Sequence, residues 1–214
     1  MNTRVIKVNP FDPEVELIEE AAQVLRRGGV IGYPTETVYG LGVDAYNEET
    51  LQRLYKIKVR EQSKPISLLV GNLRMLEEVA SRIPPLAMSL IQGYWPGALT
   101  IIFEASKMCH PILTAKSGKV GVRISPHLIA QKLLEALKRP ITSTSANLSG
   151  MPSLSDPLEV YRVFRGKIDL IIDGGKTEGE GESTVIDVTV SPPVVLREGT
   201  VRLKDGISSP KSKG

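Results

Sequence analysis

The chain has 214 residues and a net charge of +3, with 41% hydrophobic and 24% charged residues, a composition typical of a folded globular protein. The single cysteine, Cys109, excludes an internal disulfide framework, and two histidines are too few for a histidine-rich metal centre. No apolar run comes near the roughly 18 residues of a membrane-spanning helix, and the polar N-terminus lacks the apolar segment of a signal peptide, so we expect a cytoplasmic protein.

A helix is predicted first, followed by a short buried strand. Asp12 supplies a capping carboxylate, and Pro13 fits the first helical position. Apolar residues recur at helical spacing over 15–25, and the two glycines at 28–29 end the pattern. The apolar run VIGYPT at 30–35 then predicts a strand that enters a loop at its proline.

The middle of the chain alternates helices and strands. Asn47 is predicted to cap a helix that carries Lys58 in or just after its last turn. Short β-branched or alternating apolar patterns predict strands at 65–71, 98–105, 120–124 and 140–147. Helical spacing of apolar residues predicts helices at 73–80, from Pro84 to Gly93, after Ser125 and after Asp156.

Three strands with little helix between them are predicted near the C-terminus, at 169–173, 183–189 and 193–199. Alternating helices and strands followed by consecutive strands favour a single α/β domain with a twisted, mixed parallel and antiparallel sheet and flanking helices. We expect this domain to span residues 1–206. Residues 207–214 have no apolar pattern and are predicted to form a disordered tail.

Two features that suggest chemistry have simpler interpretations. GGKT at 174–177 resembles part of a phosphate-binding loop, but the complete pattern needs a glycine where Leu170 stands, and no amphipathic helix follows. It is therefore interpreted as a flexible turn. His127, just inside a predicted helix start, is interpreted as a surface residue rather than a general base.

Three polar clusters are better candidates for a site. Residues 33–42 place hydroxyls, a carboxylate and two glycines at the end of a strand, where ligands often bind in α/β proteins. Residues 56–65 are rich in cations, and an extended turn there would point Lys58 and Arg60 toward the same anion. Residues 142–150 carry five hydroxyls and an amide that could hold a phosphate or a carboxylate.

Together with their surroundings, these clusters resemble the YrdC-like family, the threonylcarbamoyl-AMP synthases, in its single-domain form. The similarity covers about four-fifths of the chain, and the order of the motifs makes it specific. The stretches that carry it are GGVIGYPTETVYGLG (28–42), KIKVREQSKPIS (56–67), WPGALT (95–100), GVRIS (121–125), TSANLSG (144–150), ESTVIDV (182–188) and LREG (196–199).

The resemblance implies a mixed α/β sheet around a positively lined cavity. It also implies the synthesis of threonylcarbamoyl-AMP and pyrophosphate from L-threonine, bicarbonate and ATP. A partner transferase would use this product to modify the adenosine beside the anticodon of tRNA, and weak binding of tRNA to this protein would be compatible with that role. Mg²⁺ is expected to arrive with ATP, with no metal held by the protein itself.

The same resemblance implies roles for individual residues. The catalytic residues would be Lys58 and Arg60. The ATP-binding residues would be Lys58, Arg60, Ser145, Asn147, Ser153 and Arg197. The threonine-binding residues would be Thr35, Arg123, Ser143 and Ser183. Lys64 would help to place bicarbonate.

Two alternative functions remain open from the sequence. The basic residues could bind double-stranded RNA or tRNA without catalysis, which would give an affinity that falls steeply with salt. The second alternative is an enzyme that forms a carbamoyl-adenylate from carbamoyl phosphate, which would keep the nucleotide-binding residues but not depend on threonine.

Overall fold

The computed structural model describes residues 2–179 and 181–203, and the predicted tail at 207–214 lies outside them. Within these residues the chain forms six helices and ten strands. The helices are α1 (Val15–Arg26), α2 (Glu48–Lys58), α3 (Leu73–Val79), α4 (Pro85–Tyr94), α5 (Leu128–Leu137) and α6 (Pro157–Phe164). The strands are β1 (Arg4–Lys7), β2 (Ile31–Tyr33), β3 (Gly40–Gly42), β4 (Ser67–Leu69), β5 (Leu99–Glu104), β6 (Lys119–Arg123), β7 (Ile141–Ser145), β8 (Leu170–Asp173), β9 (Thr184–Asp187) and β10 (Val194–Arg197).

The strands form one mixed sheet in the order β1-β8-β2-β3-β7-β4-β6-β5-β9-β10. Parallel pairs join β1 to β8, β2 to β8, β4 to β6 and β5 to β9, and the other neighbours are antiparallel. Strand β7 is central, because it pairs with β3 on one side and with β4 on the other. The prediction of an α/β domain with a mixed sheet is confirmed.

Two apolar clusters pack on opposite faces of this sheet. Consecutive residues of β8 illustrate the division: Leu170 and Ile172 belong to the cluster with α1 and α5, and Ile171 belongs to the larger cluster with α2, α3, α4 and α6. The sheet is therefore covered by helices on both faces. Among the described residues, no helix is long and apolar enough to cross a membrane.

Local capping explains where several helices begin. The Asn47 side chain accepts a hydrogen bond from Thr50 N at 3.0 Å and so starts α2 as predicted. Asp156 does the same for α6 through Leu158 N at 2.8 Å. The predicted cap at Asp12 is wrong, because α1 begins at Val15 after Glu14, whose carboxylate instead accepts a hydrogen bond from the backbone at residue 9.

The sequence patterns did not predict β1 or β3. Only Ile6 is buried in β1, so that strand has no apolar alternation to recognise. Strand β3 reads Gly-Leu-Gly, and glycine is an unfavourable strand residue. Position 40 favours glycine, because a Cβ there would lie only 3.0 Å from Cζ of the Tyr33 ring, which packs across the strand.

Candidate active site

A cavity of about 310 Å³ opens where the loops after β2, α2 and β7 meet the hairpin of β9 and β10. Its charged lining is mostly basic, with a single acidic side chain among the described residues, Glu182. The basic lining residues are Lys58, Arg60, Lys64, Arg123 and Arg197. A space of this charge suits a polyanionic ligand.

The structure brings nearly all of the predicted site residues to this one cavity. The nucleotide set contributes Lys58, Arg60, Ser145, Asn147 and Arg197, and the threonine set contributes Thr35, Arg123, Ser143 and Ser183. Lys64, predicted for bicarbonate, lines it as well. Ser153 does not line the cavity but reaches it indirectly, because its hydroxyl donates to Glu182 Oε1 at 2.8 Å. The glycine-rich turn at 174–177 does not line the cavity.

Lys58, the last residue of α2, is buried and anchors the loop that follows β7. Its Nζ donates to Ser145 O at 2.6 Å, to Asn147 O at 2.8 Å and to Asn147 Oδ1 at 3.1 Å. Its backbone carbonyl accepts from Ser149 N at 2.9 Å. Burial lowers the pKa of Lys58 to about 7; the charge of Arg60 acts in the same direction, and the charge of Glu182 opposes it.

The loop that Lys58 anchors has its polar groups arranged by short-range hydrogen bonds. Ser145 Oγ donates to Asn147 Oδ1 at 2.7 Å, and the Asn147 amide donates to Met151 O. The loop therefore presents hydroxyl and amide groups to the cavity in a fixed arrangement rather than as a free chain.

Arg60 and Lys64 belong to the turn between α2 and β4. Arg60 folds back on this turn, since its Nε donates to Lys64 O at 3.2 Å and its Nη2 donates to Pro65 O at 2.8 Å. Lys64 is exposed, with Glu61 Oε1 at 3.5 Å from its Nζ. Val59, immediately before Arg60, adopts the left-handed conformation that ends α2 and turns the chain toward the cavity.

Arg123, at the end of β6, is the most buried arginine of the cavity lining. Its Nη1 lies 2.8 Å from Glu36 Oε1 and 3.3 Å from Thr37 Oγ1, and its Nη2 lies 3.5 Å from Ser143 Oγ. Its Nε is buried and has no hydrogen-bond partner among the described residues. The guanidinium of Arg123 thus keeps an unused N–H on its Nε–Nη2 side.

The threonines beside this arginine form a second set of fixed donors. Thr35 Oγ1 donates to Val38 O at 2.7 Å and lies 3.0 Å from Thr37 Oγ1. Both hydroxyls are buried at the end of β2, where the predicted strand enters its loop. This local turn explains why the polar side chains of 35–37 point into the protein rather than to solvent.

His127, which the sequence places at the surface, has intermediate exposure. His127 is half-buried at the start of α5, and its Nδ1 has no partner among the described residues. Burial lowers its pKa, whereas the charge of Glu36 raises it. His127 N donates to Ser125 Oγ at 3.2 Å, and Ser125 Oγ in turn donates to Glu36. The packing arises because the α5 start folds back over the 35–37 loop, which the local sequence does not reveal.

The C-terminal hairpin supplies the opposite wall. Ser183 Oγ lies 2.9 Å from Thr100 Oγ1 of β5 and accepts from Arg197 Nη2 at 3.1 Å. Arg197 also donates through Nε to Ser183 O at 3.0 Å and pairs through Nη1 with Glu182. The close approach of Gly199 permits this arrangement, since a Cβ there would lie 2.3 Å from Glu182 O.

Sequence reasoning did not assign roles to two residues of the site. Glu182 contacts Ser153, and Thr100 contacts Ser183. The sequence motifs ESTVIDV and WPGALT contain these two residues but do not indicate these contacts. Both contacts join segments far apart in the chain, so no local spacing could have indicated them. The described residues contain no group of three His, Cys, Asp or Glu side chains that could hold a metal ion.

A family model described as telomere recombination, covering the Sua5, YciO and YrdC proteins, matches residues 23–199. The threonylcarbamoyl-AMP synthase of Pyrococcus abyssi is 42% identical over 195 residues, which cover 89% of this chain and 57% of that protein. The synthase of Coxiella burnetii is 36% identical over 164 residues, which cover 77% of this chain and 88% of the relative. The protein YciO of Escherichia coli is 35% identical over 199 residues, which cover 92% of this chain and 96% of YciO.

Solved structures agree with these similarities. The structure of P. abyssi Sua5 complexed with L-threonine superposes with a TM-score of 0.89 at 41% identity, covering 92% of this chain and 58% of that one. E. coli YciO superposes with a TM-score of 0.87 at 33% identity, and the match covers 94% of this chain and 98% of that one. The chain spans a little over half the length of the P. abyssi synthase and nearly the whole length of YciO.

Proposed function

This chain belongs to the Sua5–YciO–YrdC family, and we propose that it synthesises threonylcarbamoyl-AMP from L-threonine, bicarbonate and ATP, with release of pyrophosphate. The observation that carries the proposal is the convergence of two predicted sets of residues on one basic cavity. The synthase names of the relatives and the threonine complex of P. abyssi Sua5 support it.

The nucleotide half of the cavity is formed by the α2 turn, the loop after β7 and the C-terminal hairpin. We assign the ATP phosphates to Arg60 and Arg197, with Ser145 and Asn147 as neutral donors. Lys58 contributes charge to the same space and holds the loop that presents Ser145 and Asn147. Lys58 and Arg60 are the proposed catalytic cations. Ser153 acts from behind the cavity wall through Glu182.

The amino-acid half is formed around Arg123. Its Nε–Nη2 edge is the proposed partner of the threonine carboxylate, because Nε lacks a hydrogen bond and Nη2 has only a long one. The hydroxyls of Thr35, Ser143 and Ser183 line the same region and would contact the rest of the amino acid. Lys64, at the exposed side, would attract bicarbonate.

The proposed chemistry needs charge stabilisation rather than a covalent nucleophile. The threonine amine and bicarbonate combine to a carbamate with loss of water, and a carbamate oxygen attacks the α-phosphorus of ATP. The bond to the β-phosphate breaks, and pyrophosphate leaves. Negative charge grows on the phosphates in this step, and fixed cations stabilise it in a partly enclosed cavity. ATP would enter as its Mg²⁺ complex, and the cation would help to neutralise the charge of the phosphates.

The product is a reactive mixed anhydride and requires a consumer. We propose that a partner transferase moves the threonylcarbamoyl group to the adenosine beside the anticodon of tRNA, in the cytoplasm where ATP and tRNA occur. Weak RNA binding by this chain would be recognised by an affinity that falls steeply as the salt concentration rises.

The function is tested by following pyrophosphate release from ATP with purified protein, while threonine and bicarbonate are omitted in turn. The proposal expects release that depends on both. Release that ignores both omissions contradicts the synthase. Release that needs carbamoyl phosphate instead of threonine and bicarbonate would assign the carbamoyl-adenylate activity. RNA binding without any release would assign a binding module.

A further inference from the structure

The one acidic side chain in the described cavity lining is held where the site should receive an anion. Glu182 precedes β9, and its two carboxylate oxygens have different partners. Oε1 accepts from Ser153 Oγ at 2.8 Å, and Oε2 pairs with Arg197 Nη1. Both partners belong to the residues assigned to ATP, so one carboxylate occupies two anion-binding groups at once.

The contact uses the one guanidinium nitrogen of Arg197 that Ser183 does not hold. Nε and Nη2 of this arginine are held by Ser183, through its carbonyl at 3.0 Å and its hydroxyl at 3.1 Å. Only Nη1 is directed to Glu182. Loss of the carboxylate would therefore free Nη1 while the remainder of the guanidinium stays in place.

The negative charge of Glu182 also reaches the other side of the cavity. It favours the charged form of Lys58, against the effect of burial on that lysine. Glu182 thus interacts with cations on both walls. The carboxylate is partly exposed, with 37% of its side chain accessible, so it can move to solvent without breaking the core.

We propose that Glu182 is a stand-in for a phosphate: its carboxylate occupies the subsite of Ser153 and Arg197 until a phosphate group of the nucleotide or of pyrophosphate displaces it. A phosphate would take over the two donors that the carboxylate now occupies, the Ser153 hydroxyl on Oε1 and Arg197 Nη1 on Oε2, through two of its own oxygens. Glu182 is then a residue that sets the affinity of the phosphates, since each binding event must break its two contacts and overcome its charge.

The proposal deepens the proposed function and rests on its assignment of Arg197 and Ser153 to the nucleotide. It is nevertheless tested without the complete reaction, by measuring the binding of inorganic pyrophosphate by calorimetry. Glu182→Gln removes the charge and keeps the shape and an acceptor oxygen. We expect the dissociation constant of pyrophosphate to fall about 10-fold, because a like charge beside the ligand is removed.

Two comparisons separate this cause from a general change in charge. Glu178→Gln removes one negative charge from an exposed residue of the same connection between β8 and β9 and should leave the dissociation constant unchanged within about 2-fold. In the Arg197→Ala background, Glu182→Gln should gain clearly less than in the wild-type protein, because the donor that the carboxylate occupies is absent and only the effect of the removed charge remains. Thermal unfolding of each variant checks that it folds.

Unchanged or weaker pyrophosphate binding by Glu182→Gln overturns the proposal, as does an equal gain from Glu178→Gln. A full gain in the Arg197→Ala background overturns it too, because the effect would then not pass through the subsite. A failure of the synthase proposal has a different signature: pyrophosphate release that does not depend on threonine and bicarbonate, whatever the pyrophosphate affinities are.

Discussion

Arg123 Nη1 lies 2.8 Å from Glu36 Oε1, and the side chains of both residues are largely buried, at 7% and 17% exposure. A buried guanidinium needs a compensating charge, and Glu36 supplies it. Because Glu36 contacts only Nη1 of the guanidinium, Nε keeps no hydrogen bond and Nη2 keeps only a long one, to Ser143. The pair therefore stabilises the charge of Arg123 and leaves part of its hydrogen-bonding capacity unused.

Arg123→Lys is expected to raise the KM for threonine about 100-fold and to leave ATP binding within about 2-fold, since a lysine keeps the charge but loses the bidentate edge. The measurement is the threonine dependence of pyrophosphate release, together with the dissociation constant of ATP. Arg74→Ala, on the exposed surface of α3, is the control and should change neither. Weakened ATP binding with a normal threonine KM would contradict the assignment of Arg123.

Arg60→Ala is expected to lower kcat/KM for ATP by about 100-fold or more, because a positioned cation at the phosphates is lost where charge develops. The variant is expected to keep the α2 helix, since the side chain of Arg60 donates to the carbonyls of residues 64 and 65, which lie beyond that helix. Arg27→Ala, at an exposed helix end, serves as the matched arginine control. Turnover equal to that of the control would remove Arg60 from the site.

The lowered pKa of Lys58 predicts that the protein takes up a proton when phosphates bind. With a pKa of about 7, it is mostly neutral at about pH 8 and then has two N–H groups for three acceptors. An anion beside it favours the ammonium and raises this pKa, so binding should take up most of one proton at that pH and less below about pH 6, where Lys58 is already charged. Calorimetry in buffers of different ionisation enthalpy measures the uptake.

The uptake has a matched control in the same helix. Lys56→Met changes an exposed lysine two residues earlier and should leave the proton count unchanged, whereas Lys58→Met should abolish it. If Lys58→Met does not fold, the wild-type protein still decides: pyrophosphate binding at about pH 8 with no net proton uptake would contradict a depressed pKa for Lys58.

Asn47→Ala is expected to reduce the free energy of unfolding by about 1 kcal/mol, because the hydrogen bond from Thr50 N at the start of α2 is lost. Urea unfolding measures the change, and Glu49→Ala, at an exposed position of the first turn, is the comparison. A loss no larger than that of Glu49→Ala would show that the cap contributes little. Since α2 ends at Lys58, the same variant tests whether fraying at the helix start affects the cavity.

Local chemistry accounts for the parts of the fold that the sequence predicted. Asn47 marks the start of α2 because a short amide side chain can satisfy a free N–H, and Val120 and Val122 alternate because one face of β6 is buried. The expectation failed at Asp12, where a carboxylate two residues later makes a different contact, and β3 was not predicted, because its two glycines are unfavourable strand residues that pack against the Tyr33 ring. These outcomes depend on neighbours outside the local segment.

In the site, too, local sequence indicated the residue types, whereas distant neighbours determine their surroundings. The ordered motifs brought Lys58, Arg60 and Arg123 forward as residue types suited to anions, and the structure places all three at one cavity. The partners that set their properties were not predictable. Glu36 is 87 positions from Arg123, and Glu182 is 29 positions from Ser153. Such pairs follow from the order of strands in the sheet, which no single-segment pattern contains.

Strand β7 has neighbours on both sides, with Ser145 opposite Gly40 of β3 and Ser143 opposite Ser67 of β4. Side chains alternate along a strand, so Ser143 and Ser145 share one face, and Thr142 turns to the other, where its hydroxyl donates to Leu41 O. Insertion of one residue before Ser143 would invert this order and bury the serines while exposing threonine methyls to the ligand space. Length variation among natural or engineered versions of this protein should accordingly be confined to the loops and absent from this strand.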